Sequence, residues 1–414
     1  MDNPCDRIPT YYPIFAASKQ TTMHRYHLLA LTMMVSMNIW AQRVDTLLNI
    51  YSAGPIDFSV PVPDGNYRVS VTLGSKKRAA QTVVRAESRR HYVDEVATKK
   101  GQFQTVTFVV NKHEPTIDGD RLVKLKPREQ DYKNWDSALN LQFCGPAPAV
   151  QRITIEPDTT VTTLFLCGNS TVVDQEQEPW SSWGQMITRW FDDRVAVANY
   201  AESGLSATTF LAQLRLDKIL SQLRPGDYVI CEFGHNDEKE HRPGDGAWYS
   251  YSRNLKIFVD RVREKGGHII FATPTARRFF NDDQQTLRHT HGDYPEAMRT
   301  VARREHVPYI ELNGMTHTFY EALGFEGSKQ ALVHYPANTF PDQPQPLADN
   351  THFNPYGAWE VAKMIVMGLK QTGCPLADHL RADWHDFDPA HPDNPAEFVW
   401  HPSGRALLTK PDGN

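Results

Sequence analysis

Four short stretches hold residues that could do chemistry together. Cys167-Gly168-Asn169-Ser170-Thr171 delivers a hydroxyl just past an apolar run and a glycine. NYAESGLS, residues 199–206, holds Gly204; FGHND, residues 233–237, offers His235 and the Asn236 carboxamide. In DNTHFNPYG, residues 349–357, Asp349 stands three residues ahead of His352. A serine hydroxyl is a weak nucleophile at neutral pH and needs a base beside it. His352 can accept its proton, and Asp349 can hold the imidazole in the right tautomer and stabilise the imidazolium. The tetrahedral oxyanion of acyl transfer needs donors already in place. The backbone N–H groups of Ser170 and Gly204 qualify, because strand-to-helix turns leave such groups free. The Asn236 amide adds a third donor. Taken singly, each piece has an ordinary role: a serine caps helices, Asn236-Asp237 makes a turn, Gly204 a hinge, and Asp349 with His352 a capping pair. All four at strand ends of one sheet are the context acyl-transfer chemistry requires.

Those strand ends follow from the texture of the chain. From Thr162, apolar runs alternate with helical patterns: TLFLCG then WSSWGQMITRWF, VAVANYA then ATTFLAQLRLDKILSQL, DYVICEFG then SYSRNLKIFVDRVREKG, HIIFATP then YPEAMRTVARREH, VPYIELN then THTFYEALG, and last PYGAWEVAKMIVMGLKQ. Such repetition builds a parallel sheet covered on both faces, with ligands at the carboxyl ends of its strands. Residues 43–157 read as all-β instead. FSVPVPDGNYRVSVTLG alternates around a Pro-Asp-Gly-Asn turn, and QTVVRAES, FQTVTFVVN, RLVKLKP, SALNLQF and AVQRITIEP continue at the short spacing of a β-sandwich. The expected organisation is an extension plus leader over 1–42, a β-sandwich over 43–157, an α/β domain over 158–374, and a tail over 375–414 that packs back on the domains.

The formal charge is −5 and no long Lys/Arg run occurs, which argues against a nucleic-acid partner. MHRYHLLALTMMVSMNIWAQ, residues 23–42, has the basic, apolar and small-residue order of a secretory leader starting at Met23, with no cysteine for lipid attachment. The expectation is an exported, periplasmic or extracellular protein with no membrane span. After the leader, Cys144, Cys167, Cys231 and Cys374 remain. They permit disulfides without requiring them, and Cys167 and Cys231 read as buried thiols. No Cys/His spacing suggests a metal site, and HTHGDYPEA (289–297) reads as a loop and helix cap.

The four stretches, in this order, resemble the blocks of the SGNH (GDSL-type) hydrolases, and residues 164–370 are similar to their rhamnogalacturonan acetylesterase branch. GNSTV resembles that branch's GDSTV, and NYAESGLS, EFGHND and DNTHFNPYGA its remaining blocks. The resemblance implies a flavodoxin-like three-layer αβα sandwich around a five-stranded parallel sheet, here preceded by an all-β, galactose-binding-like accessory sandwich. It implies Ser170 as nucleophile, Asp349 and His352 completing the triad, Ser170, Gly204 and Asn236 as the oxyanion hole, and no metal or cofactor. Two positions depart from the pattern. Asn169 replaces the usual Asp, keeping its shape but not its charge. Leu205 stands where many relatives carry Arg, which weakens the assignment of an acidic substrate. Trp180, Trp248, Tyr249 and His235 are candidate sugar contacts, whereas Trp183 reads as core. Arg242, Arg277 and Arg278 read as solvated. The expected activity is removal of O-acetyl groups from an acetylated pectic poly- or oligosaccharide such as rhamnogalacturonan. The alternatives are an esterase or transacetylase acting on another glycan such as xylan, or a silent carbohydrate-binding protein. The sequence leaves the oligomeric state open.

Overall fold

The computed structural model describes residues 43–404, 408 and 410–412; the leader read at 23–42 lies outside them. Strands β1 (Val44–Tyr51), β2 (Ile56–Pro61), β3 (Gly65–Gly74), β4 (Ala80–Ala86), β5 (Arg90–Thr98), β6 (Phe103–Lys112), β7 (Thr116–Asp118), β8 (Arg121–Leu122), β9 (Ala138–Ala147) and β10 (Ala149–Pro157) come first. They form two four-stranded antiparallel sheets, β1-β10-β3-β6 and β2-β9-β4-β5, and the small hairpin β7-β8. The alternation read in β3 puts Tyr67, Val69 and Val71 inward, where they share a core with Val84, Leu139, Leu141 and Phe143 of the facing sheet. Each such side chain contributes roughly 1.5–3 kcal/mol on burial.

RLVKLKP is not a sandwich strand. After β8 the chain leaves the sheet, and Val123 and Leu125 pack with Trp135, Tyr200 and Phe210 under the helices of the second layer system. Its alternation was real, but the apolar partner lies outside the sandwich. Pro127 then opens a short 3₁₀ turn, Pro127–Asp131.

The parallel sheet comprises β11 (Thr162–Gly168), β12 (Val195–Asn199), β13 (Tyr228–Glu232), β14 (His268–Ala272) and β15 (Tyr309–Ile310), in the order β12-β11-β13-β14-β15. Its pleat sends alternate residues to two cores. Leu164, Leu166, Ile230 and Ile270 face α1 (Trp183–Met186), α6 (Leu312–Gly327) and α7 (Pro355–Gln371). Phe165, Cys167, Val229, Cys231 and Phe271 face α2 (Ala207–Ala212), α3 (Arg215–Gln222), α4 (Ser252–Glu264) and α5 (Tyr294–Glu305). This is the expected αβα arrangement. Cys167 and Cys231 sit side by side on neighbouring strands as free, buried thiols.

One element was not anticipated. An antiparallel pair, β16 (Leu332–Tyr335) and β17 (Leu347–Phe353), precedes α7, so Asp349 and His352 lie on a strand rather than in a helix-entry loop. Asn354 caps α7 by accepting the Gly357 N–H at 3.0 Å. Further on, Trp400 and the Ser403 N–H donate to Glu178 at 2.9 and 3.0 Å, pinning the chain beside the serine turn.

Candidate active site

Ser170 sits on the turn that leaves β11, next to the point where the strand order reverses. Gly168 makes the turn feasible, since a Cβ there would lie 2.4 Å from Val172 Cγ2 and 3.0 Å from the Glu232 carbonyl oxygen. The N–H groups of Val172 and Val173 both donate to the Asn169 carbonyl, at 3.0 and 2.9 Å. The Asn169 side-chain oxygen accepts the Thr171 N–H at 3.1 Å, the turn-supporting role expected of it. The Thr171 hydroxyl lies 3.0 Å from that oxygen and 2.7 Å from Glu232 Oε2. Glu232 also accepts from Trp183 Nε1 at 2.9 Å and the Thr275 N–H at 3.3 Å. Burial nevertheless pushes its carboxyl up to about 7 against those three donors. An amide at 169 avoids placing a second carboxylate beside it.

His352 Nε2 lies 2.8 Å from Ser170 Oγ, and His352 Nδ1 lies 2.8 Å from Asp349 Oδ2. The short spacing works because Asp349 folds back on its own strand: Oδ1 accepts the N–H groups of Thr351 and His352 at 2.8 and 3.0 Å. Burial raises the Asp349 carboxyl, but the His352 hydrogen bond and charge, with the two N–H bonds, override it and hold it at about 2. An ionised carboxylate, an imidazole and a serine are thus aligned for nucleophilic acyl transfer. Ser170, Asp349 and His352 are buried at 3%, 3% and 1% exposure.

Gly204 follows β12 with φ +79°, where a side chain is strained. Asn236 Nδ2 donates to the next carbonyl, Leu205 O, at 3.0 Å, so its amide lies beside the Gly204 turn with a second N–H to offer. Asp237 ties the two strand tips together, accepting the Ala207 and Gly234 N–H groups at 2.8 and 2.9 Å. The turns after β11, β12 and β13 therefore converge with strand β17.

The GDSL-like lipase/acylhydrolase family model matches residues 166–360, which span all four of these stretches. Rhamnogalacturonan acetylesterase RhgT of Bacillus subtilis is 40% identical over 219 residues, covering 52% of this chain and 93% of that protein. The chain belongs to the GDSL-like lipase/acylhydrolase family. It is a serine esterase. The esterase YxiM of B. subtilis is 26% identical over 321 residues, 76% of this chain and 74% of that one. Rhamnogalacturonan acetylesterase of Emericella nidulans is 25% identical over 261 residues, 58% of this chain and 97% of that one.

The expected sugar contacts of this GDSL-like chain fare unevenly. Trp180 is buried at 3% exposure, its ring edge-to-face with the His352 imidazole at 5.8 Å, so it stiffens the base. His235 is buried against Thr275 Oγ1 at 3.0 Å and against the His291 ring, and burial keeps it neutral. Trp248 and Tyr249 are exposed at 48% and 71%, and Trp248 Nε1 donates to Asp293 at 2.9 Å. The cleft at Gly204 has a volume of about 320 Å³ and is lined by Lys126, Ser206, Asn236, Lys239, Glu240 and Asp412, and by none of those aromatics. A larger cavity of about 520 Å³ lies elsewhere, against Arg85, His91, Trp359 and Trp400.

Arg277 and Arg278, read as solvated, are buried at 8% and 5% exposure. Arg277 pairs with Glu238 and donates to the His235 carbonyl at 3.3 Å. Arg278 donates to Ser328 Oγ at 2.8 Å and to the Phe325 carbonyl. The loops that receive them are distant in sequence, which is why composition alone misplaced both. Sequence reasoning also missed Lys126, in the segment misread as a strand, and Arg128, just beyond it; both reach the Ser203–Gly204 turn. Lys410, whose Nζ lies 3.6 Å from Asp349 Oδ2, was missed as well.

Proposed function

We propose that this esterase removes O-acetyl groups from an exported-side pectic glycan, with rhamnogalacturonan as the leading substrate, through a Ser170–His352–Asp349 acyl-enzyme mechanism. The observation that carries the reading is the continuous 2.8 Å relay from Ser170 Oγ, on the turn that leaves β11, through His352 to Asp349 on β17. His352 takes the Ser170 proton as Oγ attacks the acetyl carbonyl. The oxyanion is held by the Ser170 and Gly204 N–H groups and the second Asn236 N–H. His352 then protonates the leaving sugar hydroxyl, and a water deprotonated by the same imidazole releases acetate. The names of the relatives support a saccharide substrate, and the leader pattern at 23–42 supports export.

The test is acetate release from acetylated rhamnogalacturonan, homogalacturonan and xylan by wild type and Ser170→Ala. Release from a pectic polymer should fall on the order of 10⁶-fold in kcat in the variant. Release from xylan alone would move the substrate, while equal activity in both proteins would remove the mechanism.

A further inference from the structure

Two cations that no family block contains stand over the Gly204 turn. Lys126 and Arg128 precede the family-matched stretch, 166–360, and lie on the segment that leaves the sandwich. That segment is rigidly held. Glu129, the residue after Arg128, is fully buried, and it accepts from Arg215 at 2.5 and 2.7 Å, from Trp135 Nε1 at 3.1 Å and from the Lys126 N–H at 2.8 Å. Their heads are aimed as well. Lys126 Nζ donates to the Ser203 carbonyl at 2.5 Å, Arg128 Nη2 donates to the same carbonyl at 3.1 Å, and Arg128 pairs with the buried Glu202.

A carboxylate already occupies the remaining valence. Asp412 Oδ2 lies 3.1 Å from Lys126 Nζ and 2.7 Å from Arg128 Nη1. Its Cβ is so close that a Cβ on Gly204 would lie 2.8 Å from it, so this carboxylate rests directly on the oxyanion turn. Asp412 contacts both cations, while Arg128 also pairs with Glu202, whose carboxyl is pushed up to about 7 by burial. With Asp412 displaced, a partly exposed cationic pair with unspent N–H donors would remain beside the Gly204 turn, open to water or to another anion. A guanidinium beside an ammonium is the donor set that selects a carboxylate over a neutral hydroxyl. Leu205, the residue after Gly204, is buried and apolar and offers nothing of this kind.

We propose that Lys126 and Arg128 form a carboxylate-binding subsite that takes an acidic, uronate-type sugar of the acetylated saccharide, and that Asp412 is its internal occupant. The subsite rests on the saccharide reading above, and it restores the acidic-sugar recognition that Leu205 put in question. Substrate binding is then an exchange of carboxylates: the sugar acid displaces Asp412, and the acetylated ring follows into the Ser170 cleft.

Binding to the Ser170→Ala protein tests this without turnover. The ligands are an acetylated oligogalacturonide and its carboxyl-reduced, neutral counterpart, measured by calorimetry. The acidic ligand should bind about tenfold tighter, a difference that shrinks with added salt. Lys126→Met and Arg128→Met should each bring the acid-to-neutral ratio toward one. Asp412→Asn, a half-exposed position, should raise acidic affinity about threefold by removing the competitor. Equal binding of the two ligands, or a loss in the Met variants that is the same for both, overturns the subsite, the latter by making the cations mere props of the turn. Acetate release in wild type separates the two readings. Preference without release leaves the subsite standing and removes the esterase substrate; release without preference does the reverse.

Discussion

Ser170 and Lys126 are both tied to the Ser203–Gly204 turn, Ser170 through the Gln175 amide and Lys126 directly, and they arrive there by opposite routes. The catalytic floor is delivered by the turns that leave one parallel sheet and by strand β17 of the antiparallel pair beside them. Its groups are nearly inaccessible, with Ser170 at 3% and His352 at 1% exposure, and each is fixed by short bonds from its own or the adjacent loop. The rim comes from a segment outside the αβα layers and from residues beyond α7. Its charged side chains are 21% exposed at Lys126, 33% at Arg128 and 55% at Asp412. Acyl transfer needs donors and base in place before the charge develops, which a buried sheet tip supplies. Recognition of a polymer needs groups that exchange water or an internal partner for the ligand, which a half-exposed rim supplies. The difference predicts that floor substitutions act on kcat and rim substitutions on affinity.

The sharpest way to break that division is at Asp349. Asp349→Asn keeps the size of the side chain but reverses the hydrogen-bond polarity toward His352 Nδ1, favouring the wrong tautomer. A loss on the order of 10⁴-fold in kcat is expected, with KM little changed. The measurement is steady-state kinetics on a small acetyl ester, where the rim plays no part. A change confined to KM would put Asp349 among the binding groups and collapse the contrast. Asn236→Ala comes next. Removing one oxyanion donor typically costs about 10²–10³ in kcat. Because Asn236 Nδ2 also holds Leu205 O, Asn236→Asp serves as a second variant that keeps the side-chain shape while removing both donors. Near-normal kcat in both would leave the oxyanion to the backbone alone.

The same division explains what could be read from the sequence. A strand of known length ends at a known residue, so the groups just past it share one edge; this is why Ser170, Gly204 and Asn236 could be brought together on paper, whereas His352 was joined to them by its chemistry and lies on β17. Nothing local marks the rim. Lys126 stands in KLKP, whose alternation is that of a strand, and its course is set by Val123, Leu125 and Trp135 burying themselves under α2 and α3. Arg278 reads as solvated because its acceptors, the Phe325 carbonyl and Ser328 Oγ, lie about two helices downstream. The β16–β17 pair escaped because β16 is short, a Pro-rich segment separates the two strands, and the polar ADNTH of β17 carries no apolar alternation. Long-range partners decide these cases, and no spacing rule encodes them.

The smallest effect distinguishes floor from rim by stability rather than rate. Glu232 beneath the serine turn has its carboxyl raised to about 7 because burial outweighs its three donors, and Asp237 is raised to about 7 in the same way. A raised carboxyl keeps its proton in the folded state while the unfolded chain, near the ordinary 4.5, has lost it. Folding then binds protons, so stability falls as pH climbs from about 4.5 to 7 and levels off above. Asp349 has the opposite sign: held at about 2, it contributes stability above its ordinary 3.8 that is lost only as pH falls through 2, outside this window. Calorimetric melting between pH 5 and 8 should therefore show a declining Tm in wild type and a shallower decline in Glu232→Gln, which retains an acceptor for Thr171 and Trp183 but has no proton to lose. The partly exposed rim should not reproduce the effect, so Asp412→Asn should keep the wild-type slope. An unchanged slope in Glu232→Gln would mean that Thr171, Trp183 and the Thr275 N–H hold Glu232 ionised, and that the floor stores a charge under Ser170 rather than a proton.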